Sequence, residues 1–300
     1  THALLIIFGH NLYTMRLKKT LSYLFRLLGK KIPDKVYIKI LFYIDNGVVL
    51  NLKNPTTFQE KIQWLKLYYK NPIYTLMVDK LEVKEYIARQ IGSQYVIPTI
   101  GVWNNFDEIN FDSLPDKFVL KTTHAGGSLG VVICRNKYLL NKQIARKRLT
   151  KSLKSDVSKI YREWPYKDVN RKIFAESLLD VPGEQDLIDY KIFCFNGEPK
   201  YIQVIKDRNT NETIDFFDTA WVHQPFTGLT KNILQSKTTI NKPQNLETML
   251  KIAKNLAKET IFVRVDLYNT HNRIYFGELT FYPAAGSGTF TPKEWNYSLG

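Results

Sequence analysis

FVRVDLYNTHNRIYFGELTFYPAAGSG, residues 262–288, is the stretch of this sequence that decides its fold. Apolar and β-branched residues fill two arms, and the polar run at residues 269–272 separates them. Apolar runs divided by such turn-forming residues are typical of two strands joined by a short turn. The sequence therefore predicts a β-hairpin here.

The polar side chains of this hairpin fall on one face. Side chains alternate along a strand, so Arg264, Asp266 and Tyr268 share one side of the first arm. Glu278 and Thr280 share one side of the second arm for the same reason. Two carboxylates beside an arginine are costly to bury without a further counter-charge, and a divalent cation would supply one. The same pattern also fits an edge hairpin whose polar face meets water.

A glycine-rich loop lies between two other predicted strands, residues 117–121 and 131–134. Glycine lets backbone N–H groups approach phosphate oxygens closely, and a lysine at the end of the first strand adds a cation. The candidate phosphate-binding residues are Lys121, Gly126, Gly127, Ser128 and Gly130. The loop is not a P-loop, because no Gly-Lys-Ser/Thr leads into a helix. Phosphate binding is one interpretation, and an ordinary Gly-Gly-Ser loop is the other.

The hairpin resembles the metal-binding end of ATP-grasp enzymes, where an Asp on one strand is followed on the next by Glu-x-Asn and a Pro-Gly turn. Asp266 and Glu278 match the two carboxylates, Pro283 opens the turn, and Thr280 stands where the family usually has Asn. Arg264 matches the arginine that contacts the transferred phosphate, so the resemblance implies that it is catalytic. It also implies that Asp266, Glu278 and Thr280 bind Mg²⁺. The like charges predict a strained metal-free site, so that removing one charge raises the melting temperature.

Two further stretches resemble one subfamily, the TupA-like ATP-grasp proteins of polysaccharide biosynthesis. They are NPTTFQEKIQWLKLY at residues 54–68 and DYKIFCFNGEP at residues 189–199. In the first, Thr57 and Glu60 have the spacing of a capping box, which predicts the start of a helix. The resemblance runs from about residue 34 to the end and implies an α+β ATP-grasp fold, with ATP enclosed between two α+β lobes. We expect an N-terminal helical region at residues 1–92, a first lobe at 93–175 and a second lobe at 176–300.

The resemblance also implies roles for residues outside the hairpin. Lys121 and the glycine-rich loop would bind ATP, and Glu176, on a strand predicted at residues 171–179, would contact the ribose. Lys191 matches a basic residue that reaches the active site, where it would act in catalysis and in nucleotide binding. His124 is retained from the subfamily's loop. It would either contact phosphate or substrate as a catalytic residue, or fix the turn.

Composition limits the partners of the 300-residue chain. Its hydrophobic fraction of 44% and charged fraction of 24% are those of a soluble globular protein. The net charge of +15 indicates an acidic partner such as a nucleotide, an anionic lipid, a nucleic acid or an acidic polysaccharide. We expect no nucleic acid, because aromatic residues are not interleaved with the Lys/Arg run as a stacking platform requires. Only two cysteines occur, which favours a reduced, cytoplasmic setting.

Two basic segments leave alternatives open. Residues 15–31 predict a basic amphipathic helix with four leucines at helical spacing. This helix either packs on its own domain or makes a peripheral contact with the inner face of an anionic membrane. Residues 137–162 predict a strongly basic helix, which is either a solvated face or a guide for a polyanion. A helix at residues 75–91 is also predicted.

Three functions are compatible with these features. The first is a Mg²⁺- and ATP-dependent carboxylate–amine ligase that acts through an acylphosphate. It would amidate uronic-acid groups of a capsular or cell-surface polysaccharide with an amino acid or another amine. The second is an ATP-dependent kinase or another glycan-modifying enzyme, which the threonine at position 280 keeps open. The third is a basic polyanion-binding protein. The resemblance favours the ligase, with ATP and Mg²⁺ as cofactors.

Overall fold

The structure of the chain is a computed structural model. It describes residues 17, 18, 20–126, 129–179, 187–208, 210–230, 233–270 and 272–300. The α-helices of this part of the chain are α1 (Asp34–Asn46), α2 (Phe58–Tyr68), α3 (Ile73–Val78), α4 (Val83–Ile91), α5 (Lys142–Leu153), α6 (Val157–Ile160), α7 (Leu246–Ala257) and α8 (Glu294–Ser298). The strands are β1 (Thr99–Trp103), β2 (Phe118–Thr122), β3 (Val131–Cys134), β4 (Ile173–Ser177), β5 (Asp189–Phe195), β6 (Glu198–Lys206), β7 (Thr213–Asp218), β8 (His223–Gln224), β9 (Thr227–Gly228), β10 (Phe262–Thr270), β11 (Arg273–Thr280) and β12 (Phe290–Thr291).

The strands form two main antiparallel sheets. The first sheet has four strands in the order β1-β4-β2-β3, and the second has six in the order β11-β10-β5-β6-β7-β8. A separate two-stranded sheet pairs β12 with β9. Helix α5 packs on the first sheet and α7 on the second. Helices thus lie against antiparallel sheets, which is an α+β architecture.

One face of the second sheet is apolar throughout its centre. Val265 of β10 lies opposite Ile192 of β5, and Val263 lies on the same side two residues earlier. All three are buried in one core with Met249 and Ala253 of α7. The apolar positions of α7 recur at helical spacing, so the helix buries a single stripe against this face.

The opposite face of the second sheet changes from apolar to polar along the strands. At its apolar end Phe193 and Phe262 pack against Phe58 of α2, with ring centroids 6.5 and 5.2 Å from that of Phe58. Lys191 lies two residues before Phe193 on the same strand, and Arg264 lies opposite Phe193 on β10. Helix α2 therefore covers the apolar end of this face, and the polar end of the face lies toward the first sheet.

The predicted start of α2 is confirmed. The side chain of Thr57 accepts a hydrogen bond from the Glu60 N–H at 3.3 Å, and the Glu60 carboxylate accepts one from the Thr57 N–H at 3.1 Å. These two bonds satisfy N–H groups that the first helical turn cannot pair internally. Ile62, together with residues of α3 and α4, is buried in the same core as the second sheet. Helices α2, α3 and α4 therefore share the core of that sheet, whereas α1 buries Tyr37, Ile38, Leu41 and Phe42 in a small separate cluster with Leu50 and Leu52.

The single helix predicted at residues 75–91 is wrong, because the chain breaks at Asp79. Helix α3 ends at Val78, and the Asp79 carboxylate accepts hydrogen bonds from the N–H groups of Leu81 and Glu82 at 2.9 and 3.1 Å. An aspartate that bonds to the backbone two and three residues ahead offers an alternative to the helical ladder. Lys80, the residue after Asp79, therefore lies between the two helices and belongs to neither.

The basic helix predicted at residues 137–162 is also shorter than expected. Asn141 accepts a hydrogen bond from the Ile144 N–H at 3.0 Å and begins α5, which ends at Leu153. Asp156 begins the separate α6. Strand β4 crosses the boundary predicted between residues 175 and 176, since it pairs within the first sheet as far as Ser177.

Candidate active site between the two sheets

The register of the β10–β11 hairpin brings the predicted site residues together. Asp266 lies directly opposite Glu278, and Arg264 lies opposite Thr280. On the other side of β10, Asp266 lies opposite Lys191 of β5. Residues opposite each other in neighbouring strands share a face of the sheet. The polar face inferred from strand alternation therefore exists in the structure and includes the lysine of a third strand.

A buried ionic network connects these side chains. Arg264 donates from Nε to Asp266 Oδ1 at 2.6 Å and from a terminal nitrogen to Asp266 Oδ2 at 2.7 Å. Lys191 forms an ion pair with the same carboxylate, and Arg264 also donates to Thr280 Oγ1 at 3.0 Å. Arg264, Asp266 and Lys191 are each less than one-tenth exposed. A bidentate arginine–carboxylate pair fixes both groups in orientation as well as in charge.

Lys80 is part of this network, although the sequence analysis did not identify it. Its Nζ forms an ion pair with Glu278, which lies 3.4 Å from an Arg264 terminal nitrogen as well. Burial alone would raise the pKa of the Glu278 carboxyl, but Lys80, Lys191 and Arg264 lower that pKa well below its ordinary value. The two carboxylates thus face three cations. The expectation that the metal-free site is strained by like charges is therefore wrong, because each carboxylate has a cation in direct contact.

The donor set fits Mg²⁺ when phosphate is bound with it. Two carboxylates and a hydroxyl are hard oxygen ligands, and Mg²⁺ usually takes only one or two protein carboxylates and completes its shell with water and phosphate oxygens. Within the described ranges, no three His, Cys, Asp or Glu side chains come together as a metal site of their own. A bare cation would also meet three positive side chains, whereas an anionic phosphate would be attracted by them.

A narrow pocket of about 10 Å³ lies beside this network, between the two sheets. The first sheet contributes Lys121, Phe174 and Glu176 to its wall, and β11 contributes Phe276 and Gly277. Lys121 forms an ion pair with Glu176, which is 3% exposed. The structure therefore places the predicted phosphate lysine and the predicted ribose glutamate in one pocket, directly against the hairpin.

Lys84 of α4 also reaches this pocket and was not identified from the sequence. Its Nζ lies 2.8 Å from Glu176 Oε2, on the carboxylate that Lys121 contacts. Burial raises the pKa of Glu176, but Lys121 and Lys84 together lower it further than burial raises it. Lys80 and Lys84 lie one helical turn apart on either side of the start of α4. In the sequence, only their spacing of four residues could have predicted that both lysines reach the same site.

The glycine-rich loop is described in part. Gly127 and Ser128 lie outside the described residues. Gly130 has a φ of 71°, and a Cβ at this position would overlap the hydroxyls of Ser152 and Thr122. Gly126 has open space around its Cα. Gly130 is thus required by the close packing of the loop on α5, and phosphate binding by this loop stays a prediction.

His124 lies inside the protein rather than at the surface of the pocket. It is 1% exposed, and its Nε2 lies 3.0 and 3.2 Å from the carbonyl oxygens of Ser152 and Ser155. Two carbonyl neighbours require that Nε2 carries the proton and donates it. Burial lowers the pKa of His124 and keeps the ring neutral. This position favours a histidine that fixes the loop on the end of α5, and it gives the predicted catalytic contact no support.

Three buried polar side chains of α2 bind the segment that follows the hairpin. Gln59 donates to the carbonyl of Gly288 at 2.8 Å, Gln63 donates to that of Ala285 at 3.1 Å, and Lys66 donates to the same Ala285 oxygen at 2.6 Å. Residues three and four apart share a helix face, so these side chains form one stripe. Each is 3% exposed. The signature at residues 54–68 thus fixes the chain after the hairpin, which the sequence could not indicate.

This fixed segment contains an unusual turn. Ala284 and Ala285 have φ values of 48° and 55°. A non-glycine residue in the left-handed region costs about 1–2 kcal/mol and persists only when its surroundings hold it there. Gly286, also at positive φ, would clash with Gln63 if it carried a Cβ. The bonds from α2 therefore hold a strained turn a few residues beyond Glu278 and Thr280.

Lys66 is held in this position at an electrostatic cost. Burial lowers the pKa of its ammonium group, an effect that the charge of Glu163 partly offsets. Burial likewise raises the pKa of Glu163, and Lys66 partly offsets that shift. Lys66 also donates to the carbonyl of Tyr161 at 3.1 Å. Its charge therefore ties α2, the turn and the segment before β4 together.

Comparisons with known proteins identify the family of this chain. The sequence model of a family described as TupA-like ATPgrasp matches residues 60–300. This match confirms the predicted family, the ATP-grasp fold class and the expectation of an ATP-grasp enzyme. A search of curated proteins found no significant match.

Solved structures show weaker likeness. A D-alanine–D-alanine ligase from Bacillus anthracis is 17% identical with a TM-score of 0.41, and the match covers 69% of this chain and 57% of that one. The Helicobacter pylori D-alanine–D-alanine ligase is 17% identical with a TM-score of 0.38, covering 78% and 64%. The ATP-grasp ligase PsnB, complexed with minimal precursor, Mg and ADP, is 12% identical with a TM-score of 0.37, covering 74% and 57%. This chain thus spans less than two thirds of the length of each.

We expect Glu278→Gln to destabilise the nucleotide-free protein. The change keeps the shape of the side chain but leaves Lys80 without its anion, which should lower the free energy of unfolding by about 2 kcal/mol. Because the folded pKa of Glu278 is depressed, this contribution is complete above the ordinary carboxyl range and is lost as the pH falls toward the folded value. Urea unfolding of both proteins at neutral and acidic pH measures it.

Glu85→Gln is the matched control for this measurement. Glu85 forms an ion pair with Arg89 on α4, but the two side chains are 74% and 70% exposed. Exposed pairs contribute little, so this variant should unfold almost like the wild type. An increase in stability for Glu278→Gln would instead support the repulsion expected from the sequence alone.

We expect Lys66→Met to lower both the stability of the protein and its turnover, while ATP affinity stays nearly constant. A hydrogen bond from a charged donor is worth about 1.5–3 kcal/mol, and the loss falls on the turn rather than on the pocket. Lys61→Met is the control, since Lys61 is an exposed lysine of the same helix. Equal effects of the two changes, or a loss confined to ATP binding, would contradict the assigned contact.

Proposed function

The chain belongs to the TupA-like ATP-grasp family, and from this premise we propose that it is a ligase that uses ATP and Mg²⁺ to join a carboxylate to an amine. The observation that carries the proposal is the network at the hairpin. Lys80, Lys191 and Arg264 converge on Asp266 and Glu278 immediately beside the pocket between the sheets. Fixed cations of this kind stabilise the charge that develops on a phosphoryl group during transfer.

The reaction has two steps. In the first, a carboxylate oxygen attacks the γ-phosphorus of ATP, the bond to the bridging oxygen breaks, and ADP leaves with an acylphosphate formed on the acceptor. In the second, an amine attacks the acyl carbon, inorganic phosphate leaves, and the nitrogen loses a proton to give the amide. Lys80, Lys191 and Arg264 would bind the phosphoryl oxygens in the first step and would retain the acylphosphate for the second.

Asp266, Glu278 and Thr280 would hold Mg²⁺. When bound, the ion neutralises phosphate charge and orients the phosphoryl group. Thr280 accepts a hydrogen bond from Arg264 and lies 3.3 Å from a Glu278 oxygen, so its hydroxyl is already oriented toward the carboxylates. It is the weakest of the three ligands, because a neutral hydroxyl attracts a cation less than a carboxylate does.

Lys121, Lys84 and Glu176 would bind the nucleotide. Glu176 forms ion pairs with both Lys84 and Lys121. A phosphate that enters the pocket could therefore bind one of these lysines while the carboxylate keeps its ion pair with the other. The carboxylate is then free to accept a hydrogen bond from the ribose. Phe174 and Phe276 supply apolar surface on two sides of the same pocket.

The acceptor in this proposal is a uronic-acid group of a capsular or cell-surface polysaccharide, and the donor is an amino acid or another amine, on the cytoplasmic side. The net charge of +15 supports an acidic polymer. Helix α5 supports it further, because Lys147 and Lys151 are exposed on it and Lys154 is exposed directly after it. Arg146 is less available, since it forms an ion pair with Asp107.

Release of ADP from ATP and Mg²⁺, measured against a panel of uronates and amines, tests the proposal. ADP that forms only when both a uronate and an amine are present supports the ligase. Asp266→Asn should then reduce turnover by about a thousandfold or more, because it removes one carboxylate of the metal site. Asp112→Asn, at an exposed aspartate, is the control. ADP release with a sugar alone, together with a stable phosphosugar, would identify a kinase instead.

We expect Lys121→Ala to weaken ATP binding by about ten- to a hundredfold, the value of one charge-assisted hydrogen bond. The fold should survive, because Glu176 keeps its ion pair with Lys84. Calorimetric titration with the nucleotide measures the affinity. Lys254→Ala removes an exposed lysine that pairs with Glu198 on the far side of the second sheet and serves as the control. Unchanged affinity in a folded Lys121→Ala protein would contradict the nucleotide site.

We expect Lys147→Gln combined with Lys151→Gln to raise the KM for a polymeric acceptor and to weaken the salt dependence of that KM. Attraction between a basic face and a polyanion is screened by salt, so its loss is greatest at low ionic strength. ATP affinity should not change. The matched control is Lys251→Gln combined with Lys258→Gln, which changes two exposed lysines on α7 and directly after it. An unaltered KM would make α5 a solvated face only.

A further inference from the structure

The helical residues 20–28 touch the rest of the described chain through one narrow stripe. Phe25 stacks on Tyr37 of α1 with ring centroids 5.0 Å apart. Arg26 donates to Asp45 Oδ2 at 3.1 Å, and Ser22 is 7% exposed on the same side. Positions 22, 25 and 26 follow helical spacing, so they form a single contact face. This face is aromatic and polar.

The leucines of the same segment lie on a different side of the helix, and the rest of the described chain covers them only in part. Leu17, Leu21, Leu24 and Leu28 follow one another at spacings of four, three and four, which is a second stripe. They are 48%, 47%, 45% and 81% exposed. The sequence left two alternatives for this helix, packing on its own domain or contact with a membrane. Leu17, Leu21 and Leu24 keep nearly half of their surface exposed and Leu28 most of it, so the described residues cover the leucine stripe only in part.

Apolar surface continues beside the stripe. Val48 and Val49, in the turn after α1, are 58% and 78% exposed. The Nζ of Lys18 lies 3.6 Å from the point where Gly47 would carry a Cβ, which places the start of the leucine stripe next to this turn. Soluble monomers rarely expose large contiguous apolar patches, and such patches usually mark interaction sites.

The surroundings of this leucine face are positively charged. Lys18 and Lys31 are exposed near the two ends of the leucine helix, and Lys35 and Lys39 are exposed on α1, the helix that contacts it through Tyr37 and Asp45. The acidic residues of the region are engaged elsewhere, since Asp45 pairs with Arg26 and Asp34 pairs with Arg162 at 3.4 Å. Exposed leucines with a lysine border are typical of helices that lie in the headgroup region of an anionic bilayer.

We propose that the leucine face, formed by Leu17, Leu21, Leu24 and Leu28, docks on an anionic phospholipid surface. The leucines enter the boundary between headgroups and acyl chains, and the surrounding lysines contact lipid phosphates. A second copy of the chain is disfavoured as the occupant, because it would bring the two sets of lysines together. In the described part of the chain no helix is long and apolar enough to cross a membrane. This inference does not depend on the ligase reaction.

Sedimentation of the full chain with vesicles tests the proposal. The protein should sediment with vesicles of phosphatidylcholine mixed with phosphatidylglycerol, and much less with phosphatidylcholine alone. Leu24→Ser combined with Leu28→Ser should lower the partition onto the anionic vesicles by about tenfold, since apolar burial drives insertion. Lys31→Glu combined with Lys35→Glu should abolish the preference for anionic lipid.

Tyr138→Ser combined with Leu139→Ser is the matched control. These two large side chains are 81% and 80% exposed on the first sheet's side of the molecule, so as a pair they are at least as accessible as Leu24 and Leu28. Thermal unfolding and ATP affinity of each variant check that the fold is retained. The proposal is overturned if the wild type does not sediment with the anionic vesicles, or if the control reduces partition as much as the leucine variant does. It is also overturned if the leucine change alters only a concentration-dependent dimer, which would identify a second copy as the occupant.

Discussion

The physical constraint on which this structure depends is that two carboxylates on adjacent strands, Asp266 buried and Glu278 partly buried, need cations in direct contact. Asp266 takes Arg264 and Lys191 from its own sheet, and Glu278 takes Lys80 from outside it. The last pair comes from the break after α3, because Lys80 lies between α3 and α4 and belongs to neither helix. The Lys80 N–H in turn bonds to the carbonyl of Thr123, which ties the break to the glycine-rich loop. One ion pair thus links the helical region, the loop and the second sheet.

The sequence predicted those parts of the site that lie on regular strands. Alternation alone placed Arg264 and Asp266 on one face, and the observed register places Glu278 and Thr280 beside them. Lys80 was missed because it lies at a helix break 198 residues before Glu278, and Lys84 was missed because its partner, Glu176, lies 92 residues later in the chain. Nothing in local periodicity shows which distant strand such a lysine will meet. The break itself had a local cause in the Asp79 side chain, but an aspartate within a helical pattern usually points to solvent.

Periodicity also says which residues share a face without saying which face is buried. On α2 the apolar stripe and the polar stripe of Gln59, Gln63 and Lys66 are both buried, since each finds a partner of its own kind. On residues 20–28 the leucine stripe is the outer one. For His124 a loop position close to glycines suggested a ligand contact, yet the backbone carbonyls of Ser152 and Ser155, at the end of α5 and just beyond it, occupy its donor nitrogen. In each instance the partner that decides the outcome is far away in sequence.

The balance of charge in the network has a consequence for the order in which ligands bind. Three cations around two carboxylates leave the protein side of the site positive, so it attracts phosphate and repels an isolated divalent ion. A nucleotide that brings negative charge removes this repulsion and adds oxygen ligands. If the proposed site binds both ligands, we therefore expect the affinity for Mg²⁺ to rise when nucleotide is bound, and by thermodynamic linkage the affinity for nucleotide to rise by the same factor when Mg²⁺ is bound. A site with two unpaired carboxylates would behave in the opposite way and bind the metal first. The cations from Lys80, Lys191 and Arg264 thus make the nucleotide and the metal mutually dependent, which suits a site that should act only on the two together.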